Sequence, residues 1–435
     1  MRNVEEKIRC FSTDVRSLRE LSQGKIRRGK SPEKTGYLDA GIPIIKTADV
    51  TDTFINWKHC KCVSKKFYEE NLESQPSFLD ILITSTGVGS VGKVEIYDES
   101  DRPCLASAKI SLLHPKSDDV DPYYLLAFLR SKYGRLQMEN SARGATGQVE
   151  LYASDIERII VPIPSLSVQK QISDQVKSAR RKWAQYSQSL SKTKRDFEQL
   201  LPITITPGVS KKSFVMNFLN MEKRLDADYY RPTEVSPNKI ATSSNWKMAE
   251  ISEFATILRG STPSRSEYTE AGIKVIKTAT LTGEGLENNF GFVSDKFSSK
   301  KGIVVRKNDV LIASTGEGSI GKTDIYQMNE RAIVVAEISI LRMLKEEFDP
   351  FYIYLYFNTK TGKAQLERAG RGATGQQHLY PRDIRRLSIP IPTEECYQKL
   401  EPIITLARES LICKSESEET IISVKDFVGR MIDAA

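Results

Sequence analysis

The chain repeats itself, and no other feature constrains its fold as strongly. Residues 121–164 reappear without a gap 228 positions later, at 349–392. The best-matched stretch, RGATGQVELYASDIERIIVPIP (143–164), shares 14 of 22 positions with RGATGQQHLYPRDIRRLSIPIP (371–392). Upstream, STGVGSVGKVEIY (85–97) matches STGEGSIGKTDIY (314–326) at an offset of 229, and IPIIKTA (42–48) matches IKVIKTA (273–279) at 231. Small loop deletions produce such a drift. Solenoid units span only about 20–50 residues, so this is a duplicated domain and not an array.

The duplication divides the 435 residues into five parts. Residues 1–164 form a first domain and 246–392 a second. Residues 165–201 and 393–435 form a long helix after each. A connector at 202–245 carries Pro202, Pro207, Gly208, Pro232 and Pro237, residues that punctuate regular structure. Within each copy, ILITST and VLIAST read as short buried strands. Asp121-Pro122 and Asp349-Pro350 read as helix starts, with Asp as cap and Pro in the first turn. The predicted class is α+β, with two α/β domains joined by long helices.

The first long helix has a heptad seam at Ile172, Val176, Ala179, Trp183, Tyr186, Leu190, Phe197 and Leu200, with Thr193 filling the gap. The second has Leu400, Ile404, Ala407 and Leu411, is interrupted at Lys414 and Glu418, and resumes at Ile421, Val428 and Ile432. Lys and Arg exceed Asp and Glu by 8 to 3 over 165–201, and fall short by 5 to 9 over 393–435. Opposite charge lets the two pair, and equivalent helices related by a two-fold would run antiparallel. Each could instead be an ordinary amphipathic helix packed on its own domain.

Composition excludes several classes. No apolar run reaches the roughly 18 residues of a membrane span. MRNVEEKIRC lacks the apolar core of a secretory signal. Six cysteines are too few for a disulfide scaffold, so a cytoplasmic location is expected. A net charge of +8 permits a nucleic-acid partner without demanding one.

Gly316–Thr323 fits the phosphate-loop pattern, which suggests nucleotide hydrolysis. That chemistry needs a helix after the loop. TDIYQ alternates like a strand, and the other copy has Val94 in place of the hydroxyl. A glycine-rich hairpin presenting Lys93 and Lys322 is the better reading. No Asn/Asp-Pro-Pro-aromatic methylation loop and no nuclease cluster is present, and the three histidines (His59, His114, His378) offer little for general-base work. His59-Cys60-Lys61-Cys62 has no second ligand pair, so no catalytic or metal residues are assigned.

The loops Arg143–Gln148 and Arg371–Gln376 place Arg, Thr and Gln around two glycines. Arg143, Thr146, Gln148, Arg371, Thr374 and Gln376 could bond phosphates or base edges; a tight structural turn is the alternative. The Lys25–Lys46 region has six basic and two acidic residues, including Arg28, Lys30 and Lys46. Arg259 and Lys277 are their counterparts in the second copy. The copies diverge most at 49–62 and 280–292. Two readers of different sequences on a common frame would need such a difference, though a drifting surface loop gives the same pattern.

The GATGQ…LY..DI…..PIP pattern, a following helix with Gln169-Lys170-Gln171-Ile172, the GxGSxGK hairpins and the RGKSP and RGSTP starts together resemble the specificity subunits of Type I restriction–modification systems (HsdS). The resemblance covers nearly the whole chain. It implies two target recognition domains held apart by an antiparallel coiled coil, each reading half of a bipartite, asymmetric site in double-stranded DNA. It also implies a non-catalytic chain that recruits two methyltransferase (HsdM-like) subunits and restriction (HsdR-like) subunits. S-adenosylmethionine, ATP and Mg would then serve those partners. A specificity partner of another methylase or defence complex is the alternative.

Overall fold

The computed structural model describes residues 2–87, 90–99, 102–144, 149–201, 246–300, 302–316, 318–371 and 377–434. The chain forms two compact units: residues 1–181 with 416–435, and residues 182–415. The connector 202–245 lies outside the described residues.

The first unit opens with helix α1 (Arg2–Phe11), which the sequence patterns did not signal. There follow β1 (Val15–Ser17), α2 (Leu18–Leu21), β2 (Arg27–Arg28), β3 (Ile42–Ile45), β4 (Lys61–Val63), α3 (Lys65–Glu70), β5 (Asp80–Thr84), β6 (Val94–Tyr97), β7 (Leu105–Ala106) and β8 (Ile110–Leu113). Then come α4 (Pro122–Arg130), α5 (Lys132–Ser141), α6 (Ala153–Ile156), β9 (Ile160–Pro162) and the long helix α7 (Leu166–Leu200). One antiparallel sheet has the order β2-β8-β5-β6, and a second has β4-β3-β7 with β3 and β7 parallel. Every residue of β5, β6 and β8 is buried, as continuous apolar runs covered on both faces require.

The second unit repeats this plan. Its strands are β10 (Lys247–Glu250), β11 (Ala255–Arg259), β12 (Tyr268–Thr269), β13 (Ile273–Ile276), β14 (Gly291–Val293), β15 (Val310–Ala313), β16 (Thr323–Ile325), β17 (Ala332–Val334), β18 (Ile338–Met343) and β19 (Ser388–Ile391). Its helices are α8 (Asp295–Lys300), α9 (Pro350–Asn358), α10 (Lys360–Ala369), α11 (Pro381–Arg385) and α12 (Glu394–Asp433). The sheets run β11-β18-β15-β16 and β12-β14-β13-β17, the last pair again parallel.

Small features are duplicated with the large ones. Asp121 caps α4 by accepting from Tyr123 and Tyr124 N–H at 2.8 and 3.1 Å, and Asp349 caps α9 through Phe351 N–H at 2.8 Å. The Tyr124 hydroxyl donates to Pro162 O at 2.7 Å, and Tyr352 donates to Pro390 O at 2.5 Å. In each copy the first strand pairs antiparallel with the last, β1 with β9 and β10 with β19. The two ends of each domain therefore lie side by side where its long helix departs.

α7 and α12 are unbroken over 35 and 40 residues, about 52 and 60 Å at 1.5 Å per residue. In the second unit they run antiparallel: Ser189 meets Ser410 at 3.0 Å, and Cys413 Sγ donates to the earlier Lys182 O at 3.5 Å. Tyr186, Leu190, Phe197, Leu400, Ile404, Ala407 and Leu411 share one core with Phe351, Tyr352 and other residues of the domain, and Trp183 packs against it. Pairing and packing on the domain are thus both served by one seam. In the first unit Ile172, Val176 and Ala179 of α7 and Ile421, Val424, Val428 and Ile432 of α12 are buried.

Two details of the seam differ from expectation. Leu200 is 44% exposed, and Leu201, at 4%, takes its place. The last step from Phe197 is four residues rather than three, as 3.6 residues per turn produces when the strict heptad lapses. Lys414 and Glu418 do not leave the interface; both are buried.

Candidate nucleic-acid interface

Three segments converge in each domain. The first is the hairpin between β5 and β6, or between β15 and β16. Its turn needs positive φ at Gly87 and Gly92 (110° and 80°) and at Gly316 and Gly321 (103° and 79°), a region that glycine enters without strain. The Thr84 hydroxyl fastens the turn, accepting from Lys93 N–H at 2.9 Å and bonding Ser90 O. β16 follows Lys322, so the loop does not run into a helix N-terminus. The buried Thr323 hydroxyl donates to Gly321 O at 3.0 Å. The geometry is a hairpin and not a nucleotide-binding loop.

The second segment is the loop inside RGATGQ. Its base is closed by Arg143 and Glu150, whose backbones exchange bonds of 2.8 and 2.7 Å; Arg371 and His378 do the same at 2.8 and 2.7 Å. Glu150 and His378 also bridge to Thr86 and Thr315, which lays the base of each loop against its hairpin. Thr146, Gln148, Thr374 and Gln376 lie outside the described residues.

The loop arginines are held from behind. Arg143 pairs with Asp155, and Arg371 grips Asp383 with contacts of 3.0, 3.0 and 2.5 Å. Both aspartates are buried on the short helices α6 and α11. Arg143 remains 63% exposed and Arg371 29%. The sequence argument missed these aspartates. Their equal spacing of 12 residues from the arginine in both copies is the signal that could have found them.

The third segment follows β2 or β11. A Cβ on Gly29 would lie 2.2 Å from Ala106 O, and one on Gly260 would lie 2.2 Å from Val335 O, so only glycine fits the close backbone approach in RGKSP and RGSTP. Arg28 Nε donates to Ala108 O at 2.8 Å, and Arg259 Nε donates to Ala336 O at 3.1 Å. Arg28 also pairs with Glu150 at 2.7 Å. His378 stands at that position in the second copy, stacked on Tyr380 with centroids 6.0 Å apart. The matching loops therefore differ in charge. Lys30 is exposed. Lys46 lies over Tyr37 at 4.3 Å and Lys277 over Tyr268 at 5.2 Å, in matching places of the second sheet. Lys93 and Lys322 are half-buried at the hairpin ends.

The divergent segments are not drifting surface loops. Asp49, Val50, Thr53, Phe54 and Ile55 are buried in one, and Thr280, Leu281 and Leu286 in the other. Among the described residues, no three His, Cys, Asp or Glu side chains gather as a metal site. Burial pushes the Cys60 thiol well above its ordinary range, and it bonds Asn56 O at 3.6 Å.

A family model described as the Type I restriction modification DNA specificity domain matches residues 13–184 and again 243–403. The chain belongs to this family. As a specificity-subunit chain it carries the domain twice, in the places the internal repeat marks. Among curated relatives, a provisionally assigned type I restriction enzyme MjaX specificity subunit of Methanocaldococcus jannaschii is 22% identical over 430 residues, covering 96% of this chain and 92% of that protein. The type I restriction enzyme MjaVIII specificity subunit of the same organism is 21% identical over 337 residues, covering 75% and 73%. A solved S subunit of a Type I system from M. genitalium aligns over 96% of this chain and 95% of that one, at 13% identity and a TM-score of 0.47. Among the described residues, no helix is long and apolar enough to cross a membrane.

Proposed function

We propose that this specificity subunit reads a two-part, asymmetric site in double-stranded DNA, one half with each domain, and has no catalytic activity of its own. The carrying observation is that two domains of one architecture present the same three converging segments with different chemistry, Glu150 against His378 being the clearest case. Arg28, Lys30, Lys46, Lys93, Arg259, Lys277 and Lys322 supply charge for phosphate contacts. Arg143 and Arg371, anchored by Asp155 and Asp383 at the bases of the RGATGQ loops, are candidates for contacts to phosphates or base edges. Thr146, Gln148, Thr374 and Gln376 are the base-reading candidates.

Methyl transfer, ATP use and cleavage then belong to partners. Two methyltransferase subunits would bring S-adenosylmethionine, and restriction subunits would bring ATP and Mg. The complex would work in the cytoplasm, and the long helices would set the distance between half-sites.

Mapping methylated adenines in DNA from cells carrying this chain with its methyltransferase tests the reading. It predicts one asymmetric motif with two defined halves and a fixed gap. A continuous or palindromic motif would contradict it.

A further inference from the structure

In the first unit a small cleft lies where the glycine hairpin, the divergent segment and the helices meet. It encloses about 10 Å³, the room that one water or one anion oxygen needs. Asp52, Gly92, Lys93, Arg130, Arg135 and Lys425 line it.

Arg130 is the key to its chemistry. Its side chain is only 5% exposed. Nε donates to Val94 O at 3.1 Å, and Nη2 donates to Thr53 O at 2.9 Å and Glu95 at 2.7 Å. Nη1 is buried and has no partner. Buried donors are rarely left so, because an unsatisfied one costs free energy. Among the described residues the two lysines have no carboxylate within ion-pair range, whereas Arg135 has Asp52 at 3.4 Å and Glu139 at 3.6 Å. The wall thus offers guanidinium and ammonium donors, and its one carboxylate is engaged. A wall with more donors than acceptors suits an oxygen that only accepts.

The second domain lacks this arrangement. Asn358 stands where the first domain has Arg130. Its amide donates to Thr323 O at 3.0 Å and Tyr354 O at 2.9 Å, and its carbonyl accepts from Lys194 at 3.3 Å. Both amide hydrogens of Asn358 are therefore taken.

We propose that the cleft is an oxyanion site that takes one phosphoryl oxygen, with Arg130 Nη1 as the buried donor and Lys93 and Lys425 as the charges that hold the group. The phosphoryl can come from free inorganic phosphate or from a DNA phosphodiester; only the second source rests on the function proposed above.

Titrating the full chain with inorganic phosphate, at an ionic strength held constant with chloride, tests the site by calorimetry. Saturable binding is expected, weakened about tenfold or more by Lys93→Gln or Lys425→Gln. Lys363→Gln, an exposed position on α10 of the second domain, should leave it unchanged. The second arm measures the salt dependence of DNA binding. There Lys425→Gln should reduce the slope of log K against log salt by about 0.9, the value for one phosphate. An effect in the DNA arm alone assigns the site to the DNA backbone. No effect in either arm, or an equal effect of Lys363→Gln on free phosphate, would overturn the proposal. A chain that binds no DNA would refute the function and leave the phosphate arm intact.

Discussion

Glu95 and Asp324 occupy the same place in the two domains, the second residue of the strand leaving the glycine hairpin. Both are fully buried, yet they are satisfied in different ways. Glu95 is held by two guanidinium groups, Arg130 of α4 and Arg180 of α7, each at 2.7 Å. Arg180 also pairs with Asp98 at 2.5 Å and lies 5.6 Å from the Phe54 ring. Asp324 instead accepts from the backbone N–H groups of Thr282, Gly283 and Gly285 at 2.7, 2.9 and 2.7 Å. The carbonyls of that segment turn outward to the helices. Lys414 donates to Gly285 O at 2.8 Å, Lys194 bonds Gly283 O, and Tyr186 bonds Glu284 O.

The contrast explains where the copies diverge. Each variable segment is built around its own way of satisfying one buried charge, and each is tied to the helix residues of its own unit. Asp49–Cys62 and Thr280–Phe292 could not be exchanged without also exchanging Arg180 for Lys194 and Lys414.

The largest expected effect is at Glu95. Glu95→Ala leaves two buried guanidinium groups short of their carboxylate and should destabilise the first unit by about 3–5 kcal/mol, read from denaturant unfolding. A loss below 1 kcal/mol would mean that Asp98 alone satisfies Arg180.

Asp324→Asn should cost less, about 1–3 kcal/mol, because the amide oxygen still accepts from the segment. Its pH dependence sharpens the contrast. Burial raises the Asp324 pKa above the ordinary 3.8; the N–H bonds from Gly283 and Gly285 and the charges of Lys414 and Lys194 oppose the shift without cancelling it. A raised carboxyl contributes stability that is complete below about pH 4 and is lost as the pH climbs through the folded-state value. The gap between native and Asp324→Asn unfolding midpoints should therefore narrow with rising pH. A gap that widens would show that the ionised carboxylate is the stabilising form.

The smallest effects are at the loop arginines. Arg143→Ala removes one contact of a largely exposed arginine to the buried Asp155 and should cost about 1 kcal/mol, while Arg371→Ala, which loses three contacts to the buried Asp383 from a less exposed arginine, should cost more. Unfolding midpoints of both variants check the order.

Much of this architecture is legible in the chain. The repeat marks the domains, Asp-Pro marks the starts of α4 and α9, and STGxGSxGK marks hairpins once the strand after Lys322 is weighed. What escaped depends on tertiary contacts. Lys414 reads as a break in a seam, but its ammonium is satisfied by carbonyls of a segment 129 residues away. Leu200 and Leu201 are equal candidates until the last turn of α7 settles its phase. Asp155 and Asp383 carry no motif beyond matched spacing. The divergent segments read as surface because their burial is created by helices far along the chain.

The helices also bear the account's central claim, that domains choose bases and helices choose the gap. An insertion near Ser189 would be the simplest test by sequence, but that residue is bonded to Ser410 inside the second unit's core. Four residues are better added to both helices where the units divide, after Arg181 and after Ser415. Each helix then gains about 6 Å and slightly more than one turn. That is close to two base pairs of duplex rise. Adenine-methylation mapping with the partner methyltransferase should show unchanged half-sites and a spacer about two base pairs longer. Altered bases in either half-site, or an unchanged spacer in a folded and active complex, would contradict the account.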